Sequence, residues 1–231
     1  MVDSKKAVLE TLSRNPWFGS LPLAERRAML AAADRVSVRA GEMLYRKGDP
    51  AGGFLGLLTG ALKVSTLGED GREGILSVVE AGNWLGETSL LDGLPRPHDV
   101  TAVRASEVLV ISPHAFARLM QRSAFARAVE LLLCARVRGL YGLLEDSMLR
   151  STRTRIARRL LALARGDATM ASDARVRVTV SQEALAMMLG ITRQTLSKEL
   201  KALVEAGVLA LGYGHIEIVS LAGLEQRSAL A

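Results

Sequence analysis

"VSQEALAMMLGITRQTLSKELKALVEAGVLALGYGHIEIV", residues 180–219, decides how the rest of the chain is read. Ser181 carries a hydroxyl that can accept from a free N–H at the start of a helix over "QEALAMML". Gly190 ends that helix, because glycine takes the left-handed closing conformation without a Cβ penalty. Ile191 is expected to pack inward between helices. Thr192 caps a second helix, "RQTLSKELKALVEA" (193–206), which Gly207 ends. Two helices joined by a turn of about three residues containing glycine make a helix-turn-helix. Beyond it, "VLAL", a "GYG" turn and "HIEIV" predict a β-hairpin, a wing.

The phase of the second helix predicts its use. Leu196, Leu200 and Leu203 fall at i, i+4 and i+7 and form a buried stripe. Arg193, Gln194, Ser197, Lys198 and Lys201 fall on the other side. Arginine and glutamine can make paired hydrogen bonds to guanine and adenine edges, and the first turn of a recognition helix is the part that enters the major groove. Arg193, Gln194, Ser197 and Lys198 are therefore the candidate base contacts. Ser181, Thr195 and Lys201 are the candidate phosphate contacts, which set register without reading sequence. A plain helical hairpin with a wet face would leave this cluster, and the wing, without purpose. Charge agrees: of the net +6, residues 151–231 carry +4 and residues 1–150 carry +2. Double-stranded DNA is the expected partner.

Working back along the chain, "RSTRTRIARRLLALAR" (150–165) predicts a helix with Ile156, Leu160, Leu161 and Leu163 on its apolar face and arginines on an exposed one. A loop over 166–174 and a strand over 175–180 follow it. Before it, a long helix is expected from about Ala124 to Met148. In it, Leu133, Val137, Leu140 and Leu144 recur at intervals of four, three and four, the seam of a helix that packs on a like helix. A helix resting on its own domain's core would show a similar stripe, but this one joins two domains. A homodimer is the reading. Gly139 and Gly142 either weaken the helix or admit a partner closely.

Twelve of the 21 glycines lie between Gly41 and Gly93. Short β-type runs separate them: "MLYR", "GFLGLLTG", "ALKVSTL" and "GILSVVE", with "GEDGRE" as a hairpin turn and "SEVLVIS" as a further strand. Residues 34–112 thus read as a sandwich or small barrel, entered by a short helix near "PLAERRAMLAAA". No run of 18 apolar residues is present, and "MVDSKKAVLETLSRNPWF" lacks the apolar stretch of a secretory signal. Cys134 is the single cysteine, which excludes an intrachain disulfide and any Cys-rich metal site in one chain; a packing role is expected for it. A reducing cytoplasm suits such a protein. An enzyme is not expected: H-E-x-x-H, G-x-S-x-G and P-loop patterns are missing, and His98, His114 and His215 fall in three different elements. No metal centre is expected either, since His98 has no second ligand in view.

A β-rich domain, a long helix and a winged helix-turn-helix, in this order from Trp17 to Val219, resemble the cyclic-AMP receptor protein and FNR (CRP/FNR) family of bacterial transcription regulators. "LGITRQTLSKELKAL" is similar to the family's recognition-helix segment, and "GETSLLDGLPR" to its cyclic-nucleotide pocket segment. The resemblance implies an α+β chain: an N-terminal double-stranded β-helix of jelly-roll, cyclic-nucleotide-binding type over 1–122, a dimerisation helix over 123–149, and a winged helix-turn-helix over 150–231. It implies a homodimer that reads a near-palindromic operator through helix 193–206. Arg193, Gln194 and Lys198 fall where relatives contact bases. RNA polymerase and a small effector held in the β-roll are the further partners it implies. Many relatives carry glutamate at the place of Gln194, which implies an altered half-site here. A nucleotide-type regulatory module acting on a protein partner is the alternative.

The pocket segment, "GETSLLDGLPRPHD" (86–99), departs from the pattern. A cyclic phosphate needs a glycine for close backbone approach, a carboxylate for the ribose hydroxyl, an arginine for the charge, and a small hydroxyl beside it. Gly86, Glu87 and Arg96 match the first three. Where nucleotide-binding relatives have Ser or Thr, this chain has Pro97, which can donate nothing. His98 completes the candidate segment. The adenine-contacting hydroxyls of relatives fall near Leu140 and Tyr141, and Leu140 cannot donate. A purely structural use of the segment would have Glu87 and Arg96 pair with each other. A cyclic nucleotide remains open as a cofactor with none fixed by the residues; cyclic AMP itself is disfavoured, and a different effector, or none, is equally allowed.

Overall fold

Two apolar runs meet at Gly60, and its backbone sits at φ 96°. A Cβ there would lie 2.0 Å from the Ser106 hydroxyl, so only glycine lets the two chains approach this closely. The computed structural model, which describes residues 2–166 and 176–229, accordingly joins the two runs into one bent strand. The chain divides into two compact units, residues 1–66 with 76–136, and residues 67–75 with 137–231.

The first unit opens with helices α1 (Val2–Ser13), α2 (Pro16–Ser20) and α3 (Leu23–Ala31). Strands β1 (Ala33–Val38), β2 (Met43–Tyr45), β3 (Phe54–Leu67), β4 (Glu73–Glu80) and β5 (Trp84–Leu85) follow, then α4 (Glu87–Asp92) and β6 (Asp99–Ile111). Strand order is β1-β6-β3-β4, with β2 on β6 and β5 on β3. The register of β3 against β6 slips around Leu57, Thr59 and Ala61, where the strand bends at Gly60. Sequence patterning predicts β6 only from Ser106; the strand begins at Asp99, because Val100 and Ala102 also point into the roll. Val38, Leu57, Leu62, Val100 and Val108 fill its interior.

Helices α5 (Pro113–Met120) and α6 (Ser123–Leu149) leave the roll. A run of aromatic rings packs them on it. Trp84 stacks on Phe18 at 5.7 Å and tilts against Phe54 at 5.1 Å; Phe54 meets Phe116 edge-on, and Phe116 meets Phe125. Trp17 Nε1 donates to Ala128 O over 2.7 Å. Arg122 donates to both carboxylate oxygens of Glu25.

Past Arg136, α6 runs on into the second unit with its apolar residues exposed: Val137, Leu140 and Leu144 are 48%, 64% and 56% accessible. Leu133 is half-buried. Cys134 is exposed, so it does not pack in this chain as the sequence suggested; the apolar density of α6 near it does not imply burial of each residue.

The second unit continues with α7 (Thr152–Ala164), β7 (Arg177–Val178), α8 (Gln182–Leu189), α9 (Arg193–Glu205), β8 (Leu209–Gly212), β9 (His215–Ile218) and α10 (Leu221–Ala229). β7, β9 and β8 form an antiparallel sheet in that order. The loop expected over 166–174 lies, from 167 on, outside the described residues. The strand expected over 175–180 is only two residues long, paired with Ile216 and Glu217, before the chain turns into the Ser181 cap. Ile156, Ala157, Leu160, Leu161 and Ala164 of α7 pack with Leu196, Leu200 and Leu203 of α9 in one core; Leu163 sits at its edge.

The arginines of α7 do not form a simple wet face. Arg153 Nε meets Glu199 of α9 at 2.7 Å. Arg155 donates to the Leu189 carbonyl that ends α8, and Arg158 meets Asp146 of α6 at 2.7 Å. Arg159 is buried. The reason is reach: a guanidinium can extend past the apolar stripe and satisfy acceptors on neighbouring helices. Leu200 is fully buried at the centre of this core. Leu200→Ala should cost about 2–5 kcal/mol of stability. Amide hydrogen exchange of α9, faster in the variant than in wild type, checks it.

Candidate functional site

Local capping builds the helix-turn-helix. Ser181 Oγ accepts from Ala184 N–H at 3.0 Å. Gly190, at φ 63°, closes α8 with its N–H on Ala186 O. Thr192 Oγ1 accepts from Thr195 N–H at 3.1 Å and lies 2.9 Å from Thr195 Oγ1. Three residues, 190–192, thus separate the helices, and Ile191 packs against the core. Gly207, at φ 69°, follows the end of α9.

The rotation of α9 is unambiguous. Leu196, Leu200 and Leu203 are 0% exposed. Arg193, Gln194, Thr195, Lys198 and Lys201 are exposed, and Ser197 is half-buried. Ser181 is exposed too, its lone pair used by the cap while its O–H remains free to donate. The wing is a two-residue hairpin: Gly212 faces His215, and Tyr213 at the tip is fully exposed. Arg177 Nη2 lies 3.0 Å from His215 Nδ1 beside that tip. This unit therefore presents hydroxyls, amide and cations from one helix start, framed by a hairpin.

In the first unit, the 86–99 segment folds as a short helix, α4, between two left-handed glycines, Gly86 and Gly93. A Cβ on Gly86 would sit 2.6 Å from Arg96 Nη1 and 2.9 Å from Gly53 O, so the position admits glycine alone. Arg96 is buried. It donates to Gly86 O at 2.9 Å and to Gly53 O at 2.7 Å, and its guanidinium lies 4.3 Å from the ring centre of Tyr45. Burial pushes the Tyr45 hydroxyl up to about 12, against the opposing pull of Arg96. Glu87 is fully buried and pairs with Arg136 of α6, which also donates to Trp84 O. The expected structural pairing of Glu87 with Arg96 is thus replaced by Glu87–Arg136. A buried carboxylate takes the cation that α6 brings to it, while two of the N–H groups of Arg96 go to carbonyls.

Pro97 is exposed, and His98 is half-buried with its pKa lowered, first by burial and then by Lys47. Glu87 Oε2 and Arg96 Nε are buried without hydrogen-bond partners. Leu140 and Tyr141 are exposed on α6. Sequence patterning did not single out Arg136, Arg153 or Glu199. Their partners lie 49 and 46 residues away, so no local spacing marks them. Among the described residues, no group of three or more His, Cys, Asp and Glu is placed to hold a metal ion, and no helix is long and apolar enough to cross a membrane.

Comparison with known proteins matches both halves of this arrangement. The family model of the cyclic nucleotide-binding domain covers residues 35–123, and that of the Crp-like helix-turn-helix domain covers residues 154–227. The transcriptional regulator LdrP of Thermus thermophilus is 30% identical over 192 residues, 82% of this chain and 94% of that protein. The cyclic AMP receptor protein of the same species is 28% identical over 213 residues, 92% of this chain and 96% of its own length. The structure of FixK2 from Bradyrhizobium japonicum shares the fold, with a TM-score of 0.75 and 22% identity over 86% of this chain and 98% of that one. A β-roll, a long helix and a Crp-like helix-turn-helix in one chain, with a relative of this similarity along nearly its whole length, make the assignment: the chain belongs to the CRP/FNR family of transcription regulators.

Proposed function

We propose that the chain works as a homodimeric, sequence-reading transcription regulator in which α9 enters the major groove. The observation that carries this reading is the burial of Leu196, Leu200 and Leu203 while Arg193, Gln194 and Lys198 stay exposed at the start of the same helix. Arg193, Gln194, Ser197 and Lys198 are then the base contacts, and Ser181, Thr195 and Lys201 the phosphate contacts. The Thr192–Thr195 hydroxyl pair keeps one free donor between them, so it offers a single phosphate contact. Residues 1–122 serve as the effector-type domain, 123–149 as the dimerisation helix and 150–231 as the DNA-reading part. RNA polymerase is the protein partner of this reading. A module acting on a protein partner alone is not favoured, because it gives the matched helix-turn-helix no task.

The exposed stripe on α6 supports the dimer. Val137, Leu140, Tyr141, Leu144 and Met148 are each 48% or more accessible, a contiguous apolar surface that a second copy of the helix would cover. The effector follows from the pocket's own bonds. Both terminal nitrogens of Arg96 already donate to carbonyls, Glu87 is held by Arg136, and Pro97 has no proton to give. The missing hydroxyl at Pro97 weakens a phosphate cradle here, while Glu87 Oε2 and Arg96 Nε, buried without partners, leave one acceptor and one donor for an effector. Cyclic AMP binds weakly or not at all in this reading, and DNA binding does not require it.

Arg193→Ala should cost about 1–3 kcal/mol on the selected operator and much less on random DNA. Band shifts on both duplexes check this; equal losses would make Arg193 a phosphate contact. Val137→Glu sets like charges against each other in the seam and should give monomers with weak DNA affinity. Sedimentation velocity decides it, and a variant that stays dimeric refutes the seam. The paired recognition helices should sit about 34 Å apart, so selected operators should be near-palindromes with half-sites one DNA turn apart. Calorimetry of wild type with cyclic AMP and cyclic GMP should show no micromolar binding. Pro97→Ser restores one donor, about 1.5–3 kcal/mol, and should tighten binding by one to two decades if the cradle is otherwise intact.

A further inference from the structure

The recognition helix carries one carboxylate where a DNA-facing helix can least use it. Glu199 stands between Lys198 and Lys201 in sequence and borders the buried leucine stripe, its side chain 18% exposed. A sheltered carboxylate at this place needs a counter-charge, and α7 supplies it through the 2.7 Å bond from Arg153 Nε. Arg153 itself is well placed: Ser151 Oγ caps α7 by accepting from Thr154 N–H, which fixes the first turn of that helix. Two residues on, Arg155 holds the end of α8 by the Leu189 carbonyl. The first turn of α7 therefore grips both helices of the reading unit, α8 by a carbonyl and α9 by a carboxylate.

We propose that Arg153 is a positioning residue for DNA reading, which tethers Glu199 to α7 and cancels its charge so that the exposed first turns of α9, from Arg193 to Lys201, present no free carboxylate. The proposal rests on α9 being the recognition helix. Two effects follow from losing Arg153. Glu199 is released to turn outward beside Lys198, where a negative charge opposes a polyanion. The tether that sets the pose of α9 against α7 is also lost. Hydrogen bonds to base edges depend on that pose more than phosphate contacts do, so the specific site suffers most. A direct phosphate contact by Arg153, whose side chain is 52% exposed, would behave otherwise. It would weaken all DNA alike and lower the salt slope by about one.

The test uses the full chain and four proteins: wild type, Arg153→Gln, Glu199→Gln and the double variant. Each is titrated by fluorescence anisotropy against an operator that the wild type selects from random DNA, and against a scrambled duplex, at two salt concentrations. Arg153→Gln should lose roughly tenfold on the operator and distinctly less on the scrambled duplex, with the salt slope unchanged. Glu199→Gln should stay near wild type, because its amide oxygen still accepts from Arg153, and the double variant should recover the part of the loss that the released carboxylate causes. Equal losses in both Glu199 backgrounds overturn the proposal, as do equal losses on both duplexes with a reduced salt slope. If Arg153→Gln fails to fold, as read by thermal melting, Arg153→Lys carries the test. It keeps a cation but shortens the reach, and should fall below wild type by less than the tenfold expected for Arg153→Gln; full wild-type affinity from a lysine that no longer couples to Glu199 overturns the tether. A wild type that selects no sequence at all removes the recognition-helix reading, and the proposal falls with it. A wild type that selects an operator which Arg153→Gln reads at full affinity removes the tether alone.

Discussion

Three leucines hold the rotation of α9, and what the second unit can present to a partner depends on them. Leu196, Leu200 and Leu203 are fully buried, each contributing about 1.5–3 kcal/mol of burial. A rotation by one residue, 100°, would pull a leucine into water and push a cation into the core, and no surface hydrogen bond could offset that. The exposed residues at the start of α9 are therefore placed by an apolar constraint on the opposite side of the helix. Capping refines the arrangement: Ser181 and Thr192 fix where α8 and α9 begin, and Gly190 fixes the turn between them. Arginines from α7 then tie the ends of this frame to α8 and α9.

A different constraint governs the 86–99 segment. Here charges are buried, and a buried charge must be met at close range or it costs several kcal/mol. Arg96 meets two backbone carbonyls and the face of Tyr45; Glu87 meets Arg136. The protein engages these groups through part of their capacity, since Glu87 Oε2 and Arg96 Nε keep no partner. Gly86 makes this possible, since any side chain there would collide with the Arg96 guanidinium.

Helix α6 serves two kinds of contact along its length. Its first turns are buried among aromatic rings, with Phe125, Ala128, Val129 and Leu132 inside the core. Arg136 then reaches the pocket carboxylate. Beyond it the helix exposes Val137, Leu140, Leu144 and Met148. One continuous helix thus carries a residue engaged with the pocket and, starting at the next residue, an apolar stripe suited to a second copy. A change at Glu87 would be felt at Arg136, next to Val137.

The sequence by itself determined the elements whose signals are local. The helix-turn-helix was legible because leucine periodicity, two hydroxyl caps and two closing glycines all lie within 30 residues and act within one turn of each other. The wing and the long helix were legible for the same reason, and the β-roll through its glycine punctuation. The tertiary structure decided the pairings between distant residues. It joined two runs into β3 around Gly60, since the close approach of Ser106 is invisible from position 60 alone. It gave Glu87 to Arg136 rather than Arg96, and turned the expected wet arginine face of α7 into ties to three other helices. It left Cys134 in the open. Periodicity reports which side of a helix is apolar. Which long polar side chain reaches which buried acceptor depends on distances between elements, and those exist only once the chain has folded.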